Sequence, residues 1–515
     1  MPISQTGQLF SLVKSLTKSE KRNFRLYVNR LSEGNATLYV QLFDLLDKQA
    51  VLDEAEIFER IAGLSRSQYS NLKRHLYSQI MVSLEQLYKQ KRADIKIREL
   101  LNYAHILYGK GLYLQSLKIL QKAKTTADRH HYDLHYLSIL EFEKKIQSRH
   151  ITRMGAAHSL ALVEESEERA EQITSTLSLS NLRLRMHNYY IKHGHVGNAA
   201  EAQGVARLFE AHLLPGLDEH ALGVKERAYL YQSYVWYHFI LLDFAACFRY
   251  AEKWVRLFKE HPNMALRDPD LFMRGYHYLL TSAYNIRDRE RHTPYLAEAE
   301  QFRKGSYKRF NKSSQIMSFI YVHNARLNDY MLRGDFAAGV AAVHRTLDRI
   351  KRYGDRLDPH RVMILYYKIA WLYLGAGDPG TCVEYLQQIV GMNTQNLRSD
   401  VQIFTHLLFL PAHYDLGNEN IIFYVVKNAE VFLDRQTGTH RMPRLCLQFF
   451  KRIVAVPSAE RRAAFEAFEQ DLLEIRAAPY EQRAFFYLDM PSWVRAKIER
   501  RGLAAVIKAQ GMGRS

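Results

Sequence analysis

Apolar residues recur at three- and four-residue spacing along nearly the whole chain. Leu100, Tyr103, Ala104 and Leu107 form one such stripe, and Leu117, Leu120 and Ala123 form another. This is the period of an amphipathic helix, whereas the two-residue alternation of a half-buried strand is scarce. The best strand candidate is the run Ile421-Ile422-Phe423-Tyr424-Val425-Val426. Ala429 and Phe432 continue it at helical spacing, so it reads as helix. The pattern predicts an all-α protein.

Corners interrupt the stripes. Gly111, Gly194, Leu242-Asp243, Gly334, Gly377 and Gly417 each separate two helical stretches, and a weaker corner falls near Arg287. From Gly334 to Gly377 is 43 residues, and from Gly377 to Gly417 is 40. A glycine accepts the left-handed conformation that ends a helix, after which a second helix packs back antiparallel. Small residues stand early in that second helix: Ser116, Ala199, Gly339 and Cys382. They let the two backbones approach. Each pair carries apolar surface on both sides and needs neighbours to cover it, which predicts stacked helix pairs.

Two units carry the pattern most clearly. One spans Leu100 to Ala123, with Gly111, Tyr113, Ser116 and Leu120. The other spans Tyr366 to Ile389, with Ala370, Tyr373, Gly377, Cys382 and Leu386. Over roughly residues 96–455 the chain resembles the tetratricopeptide-repeat family. It departs from it in a longer period, in the missing closing proline and in Arg326 at an apolar position. The resemblance implies a right-handed superhelix whose concave face, lined by the first helix of each pair, binds a peptide or protein. By analogy with the family's groove positions, the candidate contacts are His105, Asn188, Gln232, Asn324, Asn328 and Tyr367.

The ends differ from the middle. Residues 1–95 read as a helical N-terminal domain. Thr17 and Glu20 form a capping box that opens a helix near Lys18, and further helices are expected over 37–48, 53–62 and 66–90. The opening also resembles that of uncharacterised helical-repeat proteins of Bacteroidota, and no activity comes with the likeness. Residues 456–515 read as a helical cap, with Ser458 and Ser492 as N-caps.

Charge adds a direction. The formal net charge of +18 favours an anionic partner: nucleic acid, an acidic protein face or a lipid surface. Three clusters carry it. The first comprises Lys14, Lys18, Lys21, Arg22, Arg25 and Arg30. The second, an anionic-partner patch, is Arg303, Lys304, Lys308, Arg309 and Lys312. The third is Arg495, Lys497, Arg500, Arg501, Lys508 and Arg514. The helix from Arg66 presents Gln68, Asn71, Lys73 and Arg74, side chains suited to base edges in a major groove. Nucleic acid is therefore the alternative partner.

Other chemistry finds little support. Cys247, Cys382 and Cys446 are too far apart for a zinc or disulfide framework. With no signal-like or membrane-spanning segment, the reading is a reduced, cytoplasmic protein. His131 and His135 lie one helical turn apart, but without a further ligand nearby they predict no metal site. Gly375, Gly377 and Gly380 fall at the G-x-G-x-x-G spacing of a dinucleotide loop. A strand should precede such a loop; here a helix does, so the glycines read as a helix corner. With no catalytic constellation and no cofactor motif, the expected function is non-catalytic: a scaffold or adaptor for a protein or peptide. The sequence does not set the oligomeric state.

Overall fold

The computed structural model describes residues 5–30, 35–149, 156–392, 399–434 and 441–512. The chain is 83% helical with no strand among the described residues, which makes the class all-α. The described residues fall into two compact units, Met1–Thr174 and Ser175–Ser515.

The first unit opens with α1 (Gln5–Ser15), α2 (Lys18–Val28), α3 (Asn35–Lys48), α4 (Glu54–Arg60) and α5 (Arg66–Tyr88). The Thr17–Glu20 capping box is present. Leu9, Phe24, Phe43, Leu46, Leu76 and Ile80 form a core among these helices. A second core, around Ile97, Ala104, Leu120, Ala123 and Ile139, joins α6 (Ala93–Gly109), α7 (Tyr113–Arg129) and α8 (Asp133–Arg149). Helix α9 (Ala156–His193) holds residues of both units.

The second unit stacks pairs: α10 (Ala199–Glu210), α11 (Val224–Ile240), α12 (Phe244–Glu260), α13 (Pro262–Arg267), α14 (Pro269–Asn285), α15 (Arg289–Ser306), α16 (Lys312–Arg333), α17 (Phe336–Tyr353), α18 (Pro359–Gly375), α19 (Pro379–Val390), α20 (Ser399–Asp415) and α21 (Glu419–Asp434). It closes with α22 (Arg441–Ile453), α23 (Arg461–Ala477), α24 (Arg483–Tyr487), α25 (Met490–Glu499) and α26 (Leu503–Met512). Residues 421–426 lie in α21, as the spacing predicts.

The corners repeat one geometry. Gly111, Gly194, Gly334, Gly377 and Gly417 all have positive φ, and so do Leu242 (62°) and Arg287 (60°). Five residues after a corner the second helix meets the first. There Ser116 Oγ donates to the Ala104 carbonyl at 2.8 Å, and Cys247 Sγ donates to the Val235 carbonyl at 3.6 Å. A Cβ on Gly339 would stand 3.1 Å from Tyr330 Cβ of the first helix, and 2.9 Å from Leu372 of the next pair. Ala199 is the exception. That pair's second helix begins only after the Asn198 N-cap, so Ala199 is its first residue and is exposed. Gly377 has φ +85° and open space around the position of its missing Cβ. Gly377→Ala is therefore expected to cost about 1 kcal/mol, from backbone strain alone, in a thermal melt.

Two expected caps are replaced. Asp489, not Ser492, caps α25: its Oδ1 accepts from Ser492 N, and Ser492 Oγ donates to its Oδ2 at 2.8 Å. A carboxylate two residues before Pro491 reaches the free N–H groups better than a serine already inside the first turn. Ser458 lies in a turn before α23, whose N-cap is Glu460.

Candidate functional site

The first helices of successive pairs turn one stripe each toward a shared cavity of about 460 Å³ in the second unit. On α16 the stripe is Ile320, Asn324, Asn328 and Met331; on α14 it includes His277, Thr281 and Tyr284; on α18 it includes Arg361, Ile364, Lys368 and Trp371. These are four- and three-residue steps, the rise of one helix face. Tyr190 of α9, with Trp236 and Phe239 of α11, extends the aromatic lining. The cavity is of ordinary size for a ligand site.

A second element closes one side. The segment from α24 to α26 crosses the corners of the array. Phe486 packs edge-on against Phe244, with ring centroids 4.7 Å apart. Tyr367 donates to the Tyr487 carbonyl at 3.0 Å, and Tyr487 donates to Asp400 at 2.5 Å while stacking on Phe404. Arg287 and Asp489 form an ion pair at 2.7 Å. Lys508 reaches Asp335 at 3.0 Å, and Lys497 reaches Asp415 at 2.6 Å. Arg483, Phe486 and Tyr487 thereby become cavity wall.

The cavity is electropositive. Arg361, Lys368 and Arg483 line it, and Asp358 is the one carboxylate among its described lining residues. Asp358 is itself engaged, accepting from His360 N at 3.0 Å as the cap of α18. Lys368 donates to Asn328 at 2.5 Å and lies over the Tyr284 ring. Burial, then Arg361, Lys368 and Arg274, push the His277 imidazole down to about 3, so it is neutral at physiological pH. Among the described residues, Asn324 Oδ1, His277 Nδ1 and His360 Nδ1 have no hydrogen-bond partner. Unmatched polar atoms beside a cavity are where an incoming partner gains most.

The structure brings three of the six sequence-derived contacts together here: Asn324, Asn328 and Tyr367 line the cavity. Gln232 is buried and donates to Ala228 one turn back in its own helix, at 2.8 Å. Asn188 is exposed on α9, outside the lining. His105 lies in the first unit, exposed and stacked on Phe142 at 4.0 Å. A one-residue error of helical phase, about 100°, is enough to turn Gln232 inward. His277, Arg361, Lys368 and Trp371 went unnamed in the sequence, although the same four-residue stripes point to them.

The basic clusters separate by environment. In the first, Lys21 pairs with Asp47 and Arg25 with Asp44, while Lys14 donates to the Asp47 carbonyl at 2.6 Å. Lys18, Arg22 and Arg30 are exposed. On α5, Gln68 completes a capping box with Ser65, and Lys73 pairs with Glu54. In the last cluster, Arg495 pairs with Glu469 and Arg501 with Glu499; Arg514 lies outside the described residues. In the middle cluster, Lys304, Lys308, Arg309 and Lys312 are exposed and Arg303 is half-buried.

The glycine spacing at 375–380 is a packing feature. The Phe336 ring occupies the space a Cβ on Gly375 would need, and Asp378 Oδ1 accepts from Thr381 N at 3.0 Å at the start of α19. His135 lies 3.5 Å from the Arg98 guanidinium. Among the described residues no group of three or more His, Cys, Asp or Glu side chains is placed to hold a metal ion, and no helix is long and apolar enough to cross a membrane.

Fold and cavity define the chain as an all-α protein of stacked helix pairs, with a cavity walled on one side by α24 of its C-terminal segment. Comparison with protein-family models, with curated proteins and with solved structures finds no match.

Proposed function

We propose that the second unit is a non-catalytic binding module, tetratricopeptide-like in its use of the first helices. It holds a segment of another protein that carries acidic side chains next to aromatic or aliphatic ones. The observation that carries this reading is the cavity's composition: Arg361, Lys368 and Arg483 against the single, already engaged Asp358, on an aromatic lining. Cations at low exposure favour carboxylates, and aromatic walls supply apolar contact at little entropic cost. A pre-formed array adds little ordering cost of its own. Such a module acts as a scaffold or adaptor, and the cytoplasm is the compartment that suits its three buried, free cysteines.

The test is a peptide library presented to the full chain. Recovered sequences should be rich in Asp and Glu beside aromatic residues. Arg361→Glu and Lys368→Glu should each weaken binding by about tenfold or more, with marked salt dependence. Ligands that are basic, or indifferent to both substitutions, would overturn the reading. Mixed DNA and RNA serve as competing probes. Binding lost on charge reversal at Lys308 and Arg309, and unaffected at Arg361, would favour a nucleic-acid-associated regulator instead.

A further inference from the structure

The half-buried member of the middle basic cluster sits in a setting the exposed members lack. Arg303 and Tyr307 are one turn apart at the end of α15 and just beyond it. On α17, Thr346, Arg349 and Tyr353 follow at three- and four-residue steps along one face. The two faces meet: Tyr307 and Tyr353 place their hydroxyls 3.4 Å apart. From α16, His323 Nδ1 bonds Thr346 Oγ1 at 2.9 Å. The Arg303 guanidinium lies over the Tyr307 ring at 5.4 Å, and its Nε is shielded from solvent without a hydrogen-bond partner among the described residues.

The charges here do not balance. Glu300 is taken by Arg326 at 2.6 Å. Among the described residues no carboxylate pairs with Arg303, Arg349 or Lys312. Burial first, and then the like charge of Arg349 against the pull of Tyr353, lower the Arg303 guanidinium from its ordinary value. The same surroundings, burial foremost, push His323 down to about 3 and keep it neutral. Two half-buried arginines, each one turn from a member of the Tyr307–Tyr353 phenol pair and one of them with an orphaned N–H, lack only an anion.

We propose that Arg303, Arg349, Tyr307 and Tyr353 form a binding site for a tetrahedral oxyanion of the phosphate type. The guanidinium forks would take its oxygens and the phenol pair would donate one further hydrogen bond, with exposed Lys312 at the rim. The site is separate from the cavity residues, so it stands or falls independently of the peptide reading.

The experiment is calorimetric titration of the full chain at constant ionic strength with inorganic phosphate, and in a second arm with a phosphate monoester, O-phosphoserine. Saturable binding of either supports the site, and the tighter arm identifies its source. Arg303→Gln and Arg349→Gln should each weaken binding by about tenfold or more. Lys122→Gln, exposed on α7, should leave it nearly unchanged. Should either arginine variant misfold, hydrogen exchange on the unaltered chain decides: phosphate should slow exchange across residues 303–312 and 346–353. Failure of both ligands to saturate, binding unchanged in folded arginine variants, or protection elsewhere would overturn the proposal.

Discussion

Gly375→Ala should lower the melting temperature by roughly 4 °C, corresponding to about 3 kcal/mol in a unit of this size. A Cβ at that position would stand 2.2 Å from one Phe336 ring carbon and 2.3 Å from the next. Neither side has room to give. Phe336 is 1% exposed, and Gly375 is the buried last residue of α18. Close-packed interiors accommodate an added methyl only by moving side chains off their rotamers or by shifting backbone. The obstruction is one ring, so Phe336→Leu in the same chain should recover a large part of the loss. On its own, Phe336→Leu should destabilise by about 1 kcal/mol, and the two effects should fall short of adding. Equal melting temperatures for the single and double variants would show that Gly375 serves something other than this contact.

Asp489→Asn should loosen the C-terminal wall. Asparagine caps a helix as well as aspartate does, so the change removes charge and leaves the start of α25 intact. Removing one partner of a buried pair costs about 3–5 kcal/mol when both are enclosed. The Asp489 side chain is 12% exposed but that of Arg287 is 32%, so about 2–3 kcal/mol is expected. Limited proteolysis should cut near residues 478–489 earlier in the variant. The same pair predicts acid sensitivity. Burial works to raise the Asp489 carboxyl, yet Arg287 and the Ser492 hydroxyl outweigh it and hold the carboxyl below its usual range. The pair's contribution is therefore complete above the unfolded value, near pH 4, and is lost as pH falls through the lower folded one. The variant should show a shallower loss of stability on acidification than the unaltered chain. Identical acid profiles would remove the pair from the account.

The array was legible because its determinants are local. Helical period, corner glycines and the small residue five places on are all visible within a 40-residue window, and even Leu242 and Arg287 hold the left-handed corner conformation. The cavity was half legible. Asn324, Asn328 and Tyr367 follow from the groove positions that the tetratricopeptide resemblance implies, but Gln232 shows how one position of phase exchanges groove for core. The wall was not legible at all. Arg287 and Asp489 lie 202 residues apart, and no periodicity connects them. The basic cluster of residues 495–514 reads in the sequence as a patch for an anionic partner, whereas Lys497 and Lys508 meet the acids of the corners at Asp415 and Asp335.

Arrays of helix pairs ordinarily fray from either end, because each pair leans only on the next. Here α24 to α26 touch corners spread from Phe244 to Asp415. Loss of any one pair in that span breaks a contact with a strap that also braces the others. Melting of the second unit should be cooperative where a plain solenoid's is stepwise, and its folding should be slowed by closure of that long loop.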